Sequence, residues 1–269
     1  MNSKGRSDWL RLFAMVTMLI DHCGILLFPQ AEILRKIGRL AFPIFAYGIA
    51  RGFTHTKSRR KYMLRLFVFG AISQIPYMWL HSGARFDPFT INQLWQFLYT
   101  LIALVAVERS QKSENWPMKI LYGWIGVFLI FLPDALRYLY PQWKFSYGTY
   151  GILMSVLFYV FEGRWPQLIG SYVALSYFYG YISVAALNRS TGVNYLESLG
   201  MIEENIRTLR RYGRFLSMSG VFRQSLSILA LPFIYASQRR PGRPFMNRFT
   251  PYLFYPLHIV VLLLIYHIF

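Results

Sequence analysis

Sulfur chemistry is almost absent from this chain, which has one cysteine, Cys23, in 269 residues. A single thiol excludes an intrachain disulfide and any metal site built on several cysteines. Its position inside an apolar run makes it a small packing residue. Charge is scarce as well. Charged residues make up 15% of the chain and hydrophobic residues 55%, whereas soluble globular domains are about 25% charged, so a water-soluble domain is excluded. Acids are scarcest, with 11 Asp and Glu against 29 Lys and Arg and a net charge of +18. In a chain of long apolar runs, this excess reads as basic loops that hold the cytoplasmic face and meet anionic lipid, and no nucleic-acid partner is expected. There is no His-x-x-x-His pair, Gly-x-Gly-x-x-Gly, P-loop or Gly-x-Ser-x-Gly elbow. Metalloprotease, nucleotidase and serine-hydrolase readings are therefore unsupported, and no metal is expected.

What the chain does have is apolar stretches long enough to cross a bilayer, since about 20 residues at 1.5 Å rise span a hydrocarbon core of roughly 30 Å. Strand-like alternation of the barrel kind is not visible. The expected fold is all-α, a polytopic transmembrane helical bundle of about nine spans, with eight or ten also compatible. The spans are read at 9–28, 37–50, 62–80, 92–107, 120–132, 146–161, 167–187, 215–235 and 251–268. The whole of 1–269 is read as a single integral-membrane domain with one polar, partly amphipathic interfacial insert at 188–214. The basic loop 51–61 contains no acid and is the strongest inside signal. The start, 1–6, resembles a signal-peptide n-region without a small-residue cleavage pattern, so the first span is read as uncleaved with its N-terminus cytoplasmic.

The first span carries ionisable groups at a cost. A charge near the middle of a membrane helix is unfavourable by at least about 2.5–3.5 kcal/mol, so Asp21 and His22 read as functional. Arg11 and His22 are eleven residues apart, close to three turns, which puts them on one face about 16 Å apart. A phosphate-bearing ligand held by Arg11 at the water boundary could lay a long arm along the helix toward His22, the geometry an acyl-CoA donor needs. A neutral imidazole there suits a general base for an attacking amine or hydroxyl. If the first two spans form a hairpin turning near residue 30, Arg39 lies level with Asp21 and pairs with it. Gln74 and Gln96 are read as level across the next hairpin, where an amide pair would be packing glue. Arg65 lies within a span and joins Arg11 as a candidate phosphate contact. His258, about two turns into the last span, is open between a site residue and a packed histidine. His81 reads as a half-wet histidine at a span end.

Several runs carry a resemblance. Asp21-His22-Cys23-Gly24, 37–46, 52–56, 62–66, Ser73-Gln74-Ile75-Pro76, Asn92, the stretch 147–151 and Phe254-Tyr255-Pro256-Leu257-His258 resemble the TraX family in order along most of the chain. TraX proteins are bacterial inner-membrane proteins named for N-terminal acetylation of the conjugative pilin. The Arg11-to-His22 spacing is also similar to the Arg-then-His signature of the wider membrane acyltransferases. The resemblance implies an acetyl-CoA-dependent N- or O-acetyltransferase in the bacterial inner membrane. His22 would be catalytic with Asp21, and Arg11 and Arg65 would contact acetyl-CoA. Arg39, Gln74, Asn92 and His258 would be supporting or substrate-side residues, and the acceptor would be a pilin or peptide amine or an envelope glycan. The chain departs from the family at Trp95-Gln96-Phe97 and in 188–214. A non-enzymatic proton-coupled transporter or scaffold remains the alternative, although no pair of broken helices repeats in the two halves.

Overall fold

The structure is a computed structural model that describes residues 7–82, 87–140, 142–190, 195–212, 215–216 and 220–268. It is almost wholly helical. The helices are α1 (Asp8–Leu26), α2 (Glu32–Gly38), α3 (Ala41–His55), α4 (Arg59–Ser82), α5 (Gln93–Lys112), α6 (Trp116–Leu139), α7 (Gly148–Val160), α8 (Trp165–Ser190), α9 (Tyr195–Gly200), α10 (Ile202–Tyr212), α11 (Leu231–Arg239) and α12 (Thr250–Ile268), with a 3-10 stretch at Gly220–Ala230 before α11. Two two-residue strands, β1 (Thr90–Ile91) and β2 (Lys144–Phe145), pair in parallel.

Among the described residues, five helices are long and apolar enough to cross a membrane: α1, α4, α6, α8 and α12. The expected count of about nine is therefore not met, for local reasons. The stretch read as a second span breaks at Arg39-Leu40 into α2 and α3. At 15 and 13 residues, α3 and α7 fall short of the usual spanning length of about 17–25. α5 has 20 residues but ends in Glu108, Arg109 and Lys112. The stretch read as an eighth span divides between the 3-10 segment and the nine-residue α11. In the 3-10 segment, Ser225 and Ser227 bond the carbonyls of Phe222 and Gln224 three residues back, offering the backbone an alternative to regular α-helix. Of the predicted insert, α10 folds back against α8, with Leu209 packed on Val184 and Phe222; 191–194 and 213–214 lie outside the described residues.

Apolar side chains cover the outer faces of the long helices. Trp124 and Phe128 on α6 and Leu257 and Leu264 on α12 are each about 60% exposed (68%, 62%, 58% and 58%). Such continuous apolar surface marks a lipid-facing bundle. Prolines inside α4, α6 and α12 are tolerated where other groups satisfy the freed backbone. Pro133 removes the donor to the Leu129 carbonyl, and Tyr99 Oη supplies one at 2.6 Å.

The helices run up and down between two ends. One end gathers the start of α1, the α3–α4 and α5–α6 turns and the 240–249 loop, and it is rich in Lys and Arg. There Arg51 pairs with Glu162, and Arg59 and Lys112 both pair with Glu108. The opposite end gathers α2, the end of α4, the β1–β2 pair and the starts of α5 and α7, and it holds the site.

Candidate functional site

His22 on α1 and His258 on α12 are both buried, although 236 residues separate them in sequence. Their rings stack with centroids 4.9 Å apart and planes 6° from parallel. His22 Nδ1 lies 2.7 Å from His258 Nε2, and His258 Nδ1 lies 2.7 Å from the Phe254 carbonyl oxygen. For two neutral rings these contacts allow one proton arrangement. A carbonyl only accepts, so His258 Nδ1 carries the hydrogen and its Nε2 accepts. His22 Nδ1–H is then the donor, and His22 Nε2 is left with its lone pair.

His22 lines a cavity of about 400 Å³, within the roughly 300–1,000 Å³ range of small-molecule sites. Asp21 lies on the same wall. Its Oδ2 is 2.8 Å from Arg35 Nη1 and its Oδ1 3.7 Å from Arg39 Nη2. The Asp21–Arg39 pair is the one the hairpin register predicts. Arg35 stands in the gap between the first two predicted spans, yet α2 begins at Glu32 and presents Arg35 to the same carboxylate. Gly38 allows this approach: a Cβ there would run into the Asp21 side chain. Burial lowers the Arg35 guanidinium, while Asp21 opposes that shift.

The cavity also takes residues that sequence reasoning left aside. His81, read as a half-wet histidine, is on the wall, as are Arg137 from the end of α6 and Lys144 from β2. No spacing in the sequence links Arg137 and Lys144 to the cavity; the strand pair sets Lys144 opposite Thr90 and Phe145 opposite Ile91, and α6, which carries Arg137, packs on β2. Asp87 bonds Lys144 at 2.9 Å, and that bond holds the Asp87 carboxyl below the usual range.

Other predicted site residues lie elsewhere. Gln74 does not pair with Gln96. Its Nε2 donates to the Thr90 carbonyl at 2.6 Å, and its Oε1 accepts from Asn92 Nδ2 at 2.7 Å. Asn92 also donates to the Gly70 carbonyl and caps α5 by accepting from Leu94 N. This pair supports β1 and the start of α5, which deliver Thr90 and Gln93 to the cavity. Gln96 instead spans the start of α7, donating to the Gly148 carbonyl and accepting from Tyr147 N. Gly148 sits at φ +50°, and a Cβ there would meet the Asp134 carboxylate. Arg11 and Arg65 are at the basic end, away from the cavity wall. Arg11 lies 3.5 Å from Asp8, and Arg65 lies over the Tyr62 ring, 5.7 Å from its centroid.

A family described as TraX protein matches residues 6–266. The chain belongs to the TraX family. It is also similar to a "probable fimbrial assembly protein FimC, serogroup H1" of Dichelobacter nodosus, at 29% identity over half of this chain and 63% of that protein. A stretch of 74 residues is 35% identical to the uncharacterized protein RP591 of Rickettsia prowazekii, covering 28% of each chain. A stretch of 69 residues is 39% identical to the membrane protein insertase YidC of Caldanaerobacter subterraneus, covering 25% of this chain and 32% of that one. This TraX-family chain thus spans less than two thirds of the length of each of these relatives. No solved structure matches it.

Proposed function

We propose that this TraX-family membrane protein is an acetyltransferase of the bacterial inner membrane. It would move an acetyl group from cytoplasmic acetyl-CoA to an amine or hydroxyl. The observation that carries the reading is the chain from the Phe254 carbonyl through His258 to His22, which leaves His22 Nε2 as an unprotonated base on a cavity wall. His22 Nε2 takes the acceptor's proton as the acceptor nitrogen or oxygen attacks the thioester carbon. The carbon–sulfur bond breaks, and the proton passes from the imidazolium to the departing thiolate. His258 fixes the His22 tautomer and stabilises the transient charge. Asp21, held by Arg35 and Arg39, keeps the α1–α2 corner in place.

The Lys- and Arg-rich end suits the cytoplasmic side, which puts the N-terminus inside and Arg11 and Arg65 within reach of the phosphates of acetyl-CoA. The fimbrial-assembly name of the Dichelobacter relative is compatible with an envelope acceptor such as a pilin, a peptide or a glycan. The His22–His258 bond also favours a second reading, a proton relay in a transporter.

Thermal unfolding of the detergent-purified chain with acetyl-CoA decides between them. Ligand at 100 times its Kd should add about 2.7 kcal/mol of apparent stability. Wild type and His22→Ala should be stabilised, and Arg11→Ala should not. If acetyl-CoA stabilises none of the three, the transferase reading falls and the relay takes its place.

A further inference from the structure

The cavity wall has an excess of positive charge that the transfer chemistry does not use. Arg35, Arg39, Arg137 and Lys144 line it, with Asp21 as the carboxylate on the same wall. Counting Asp87, which bonds Lys144, two carboxylates face four cations, leaving two positive charges in excess. Keeping Arg39 buried this way is costly unless something beyond Asp21 shares its charge. Arg39 Nε donates to the Arg35 carbonyl at 3.2 Å, but Asp21 Oδ1, 3.7 Å from Arg39 Nη2, forms no hydrogen bond, so the Nη end of the guanidinium is not saturated by its partner. Gln93 supplies a buried amide donor, Nε2, that also has no hydrogen-bond partner. The rest of the wall is aromatic, including Phe42, Phe45, Phe145 and Tyr147.

We infer that the cavity receives an acidic sugar, whose carboxylate or phosphate is gripped by Arg39, Arg137 and Lys144 while its ring lies on the aromatic wall and presents a hydroxyl to His22. This rests on the transferase reading and names its acceptor class. Arginine is the residue suited to carboxylate and phosphate oxygens, and aromatic faces pack on apolar ring surfaces. Thr90 Oγ1, which donates to Asp87, and Ser146 Oγ, which bonds Tyr77, keep acceptor lone pairs on the same wall for the remaining hydroxyls. A peptide ammonium, by contrast, would enter a field of its own sign. The cavity opens at the end opposite Arg11, so donor and acceptor anions would be held at separate cationic sites.

The test uses the full detergent-purified chain and thermal shifts with galacturonate, glucose 1-phosphate, glucose and an alanine-initiated peptide. The acidic sugars should stabilise wild type and glucose should not. Because Arg137 and Lys144 are exposed, Arg137→Gln and the Arg137→Gln/Lys144→Gln pair should fold and should weaken acidic-sugar binding at least tenfold. Arg11→Ala should leave that binding intact. Equal shifts with glucose, no effect of the two Gln variants, or stronger stabilisation by the peptide would overturn the inference. So would loss of acetyl-CoA stabilisation in the double variant with its retention in Arg11→Ala, since the cavity cations would then hold the donor. Acidic sugars that bind while acetyl-CoA stabilises nothing would keep this site and sink the transferase. Acetyl-CoA stabilisation without acidic-sugar binding would do the reverse.

Discussion

At the scale of residues, the proposed transfer would divide two tasks between His22 and His258. His22 holds the lone pair that would meet an acceptor, and His258 sets where that lone pair is by accepting from the other ring nitrogen. Removing a general base lowers turnover by about 10²–10⁴-fold, so His22→Ala should abolish most acetyl transfer in a radiolabelled acetyl-CoA assay. His258→Ala should lower kcat with little change in the acetyl-CoA KM, because it frees the His22 tautomer without touching the donor end. A second expectation concerns packing. In Gly38→Ala, the new methyl meets Asp21, and overpacking of this kind costs about 1–3 kcal/mol, readable as a lower Tm in detergent. Asp21, His22 and Arg39 were legible in the sequence because a charge inside an apolar run is conspicuous and a short hairpin sets its own register. The His22–His258 contact was not, since nothing local connects the first helix to the last.

At the scale of elements, Asn92 bears more than its position suggests. It caps α5 and joins Gln74 and the Gly70 carbonyl, so Asn92→Ala loses both a cap and buried bonds. A lost cap typically costs about 1 kcal/mol, with more from the partners left unpaired. The Asn92→Ala and Gln74→Ala changes should be non-additive in a double-mutant thermal-stability cycle, because each already breaks the shared bond. Apolar content marked the long helices well, with α1, α4 and α12 falling within two or three residues of their predicted spans. It failed where helices are short or irregular. The second span hid the Arg39 break, and the stretch 215–235 reads as one apolar run although Gly220–Ala230 within it is 3-10 helix, with Ser225 and Ser227 bonding carbonyls three residues back.

At the scale of the whole molecule, the two ends differ in how their charges are used. At the basic end, Arg59 and Lys112 converge on Glu108, with Arg59 Nη2 at 2.9 Å, and they hold its carboxyl down to about 2 from an ordinary 4.5. A carboxyl depressed on folding adds stability above its unfolded value and loses it as pH falls through the folded one. Glu108→Gln should therefore melt below wild type at pH 7, and the gap should begin closing below about pH 4.5 and vanish near pH 2. Sidedness can be checked separately. In a Cys23→Ala background, Lys57→Cys and Lys144→Cys should react with a membrane-impermeant maleimide from opposite faces, with Lys144→Cys labelled in intact cells. Labelling of both from one side would remove the orientation on which the donor assignment depends.

The N-terminus of α1 is moored to the loop ahead of α12. Asp8 Oδ2 accepts from the backbone N–H groups of Phe245 and Met246, each at 2.8 Å, and Trp9 Nε1 donates to the Arg240 carbonyl. The two helices that carry the histidines therefore share a common footing. One residue of axial slip is about 1.5 Å, enough to part ring nitrogens that sit 2.7 Å apart. The loop at 240–249 behaves as a gauge block: it sets the spacing of a pair of atoms several turns away, so wear at Asp8 would register first at His22.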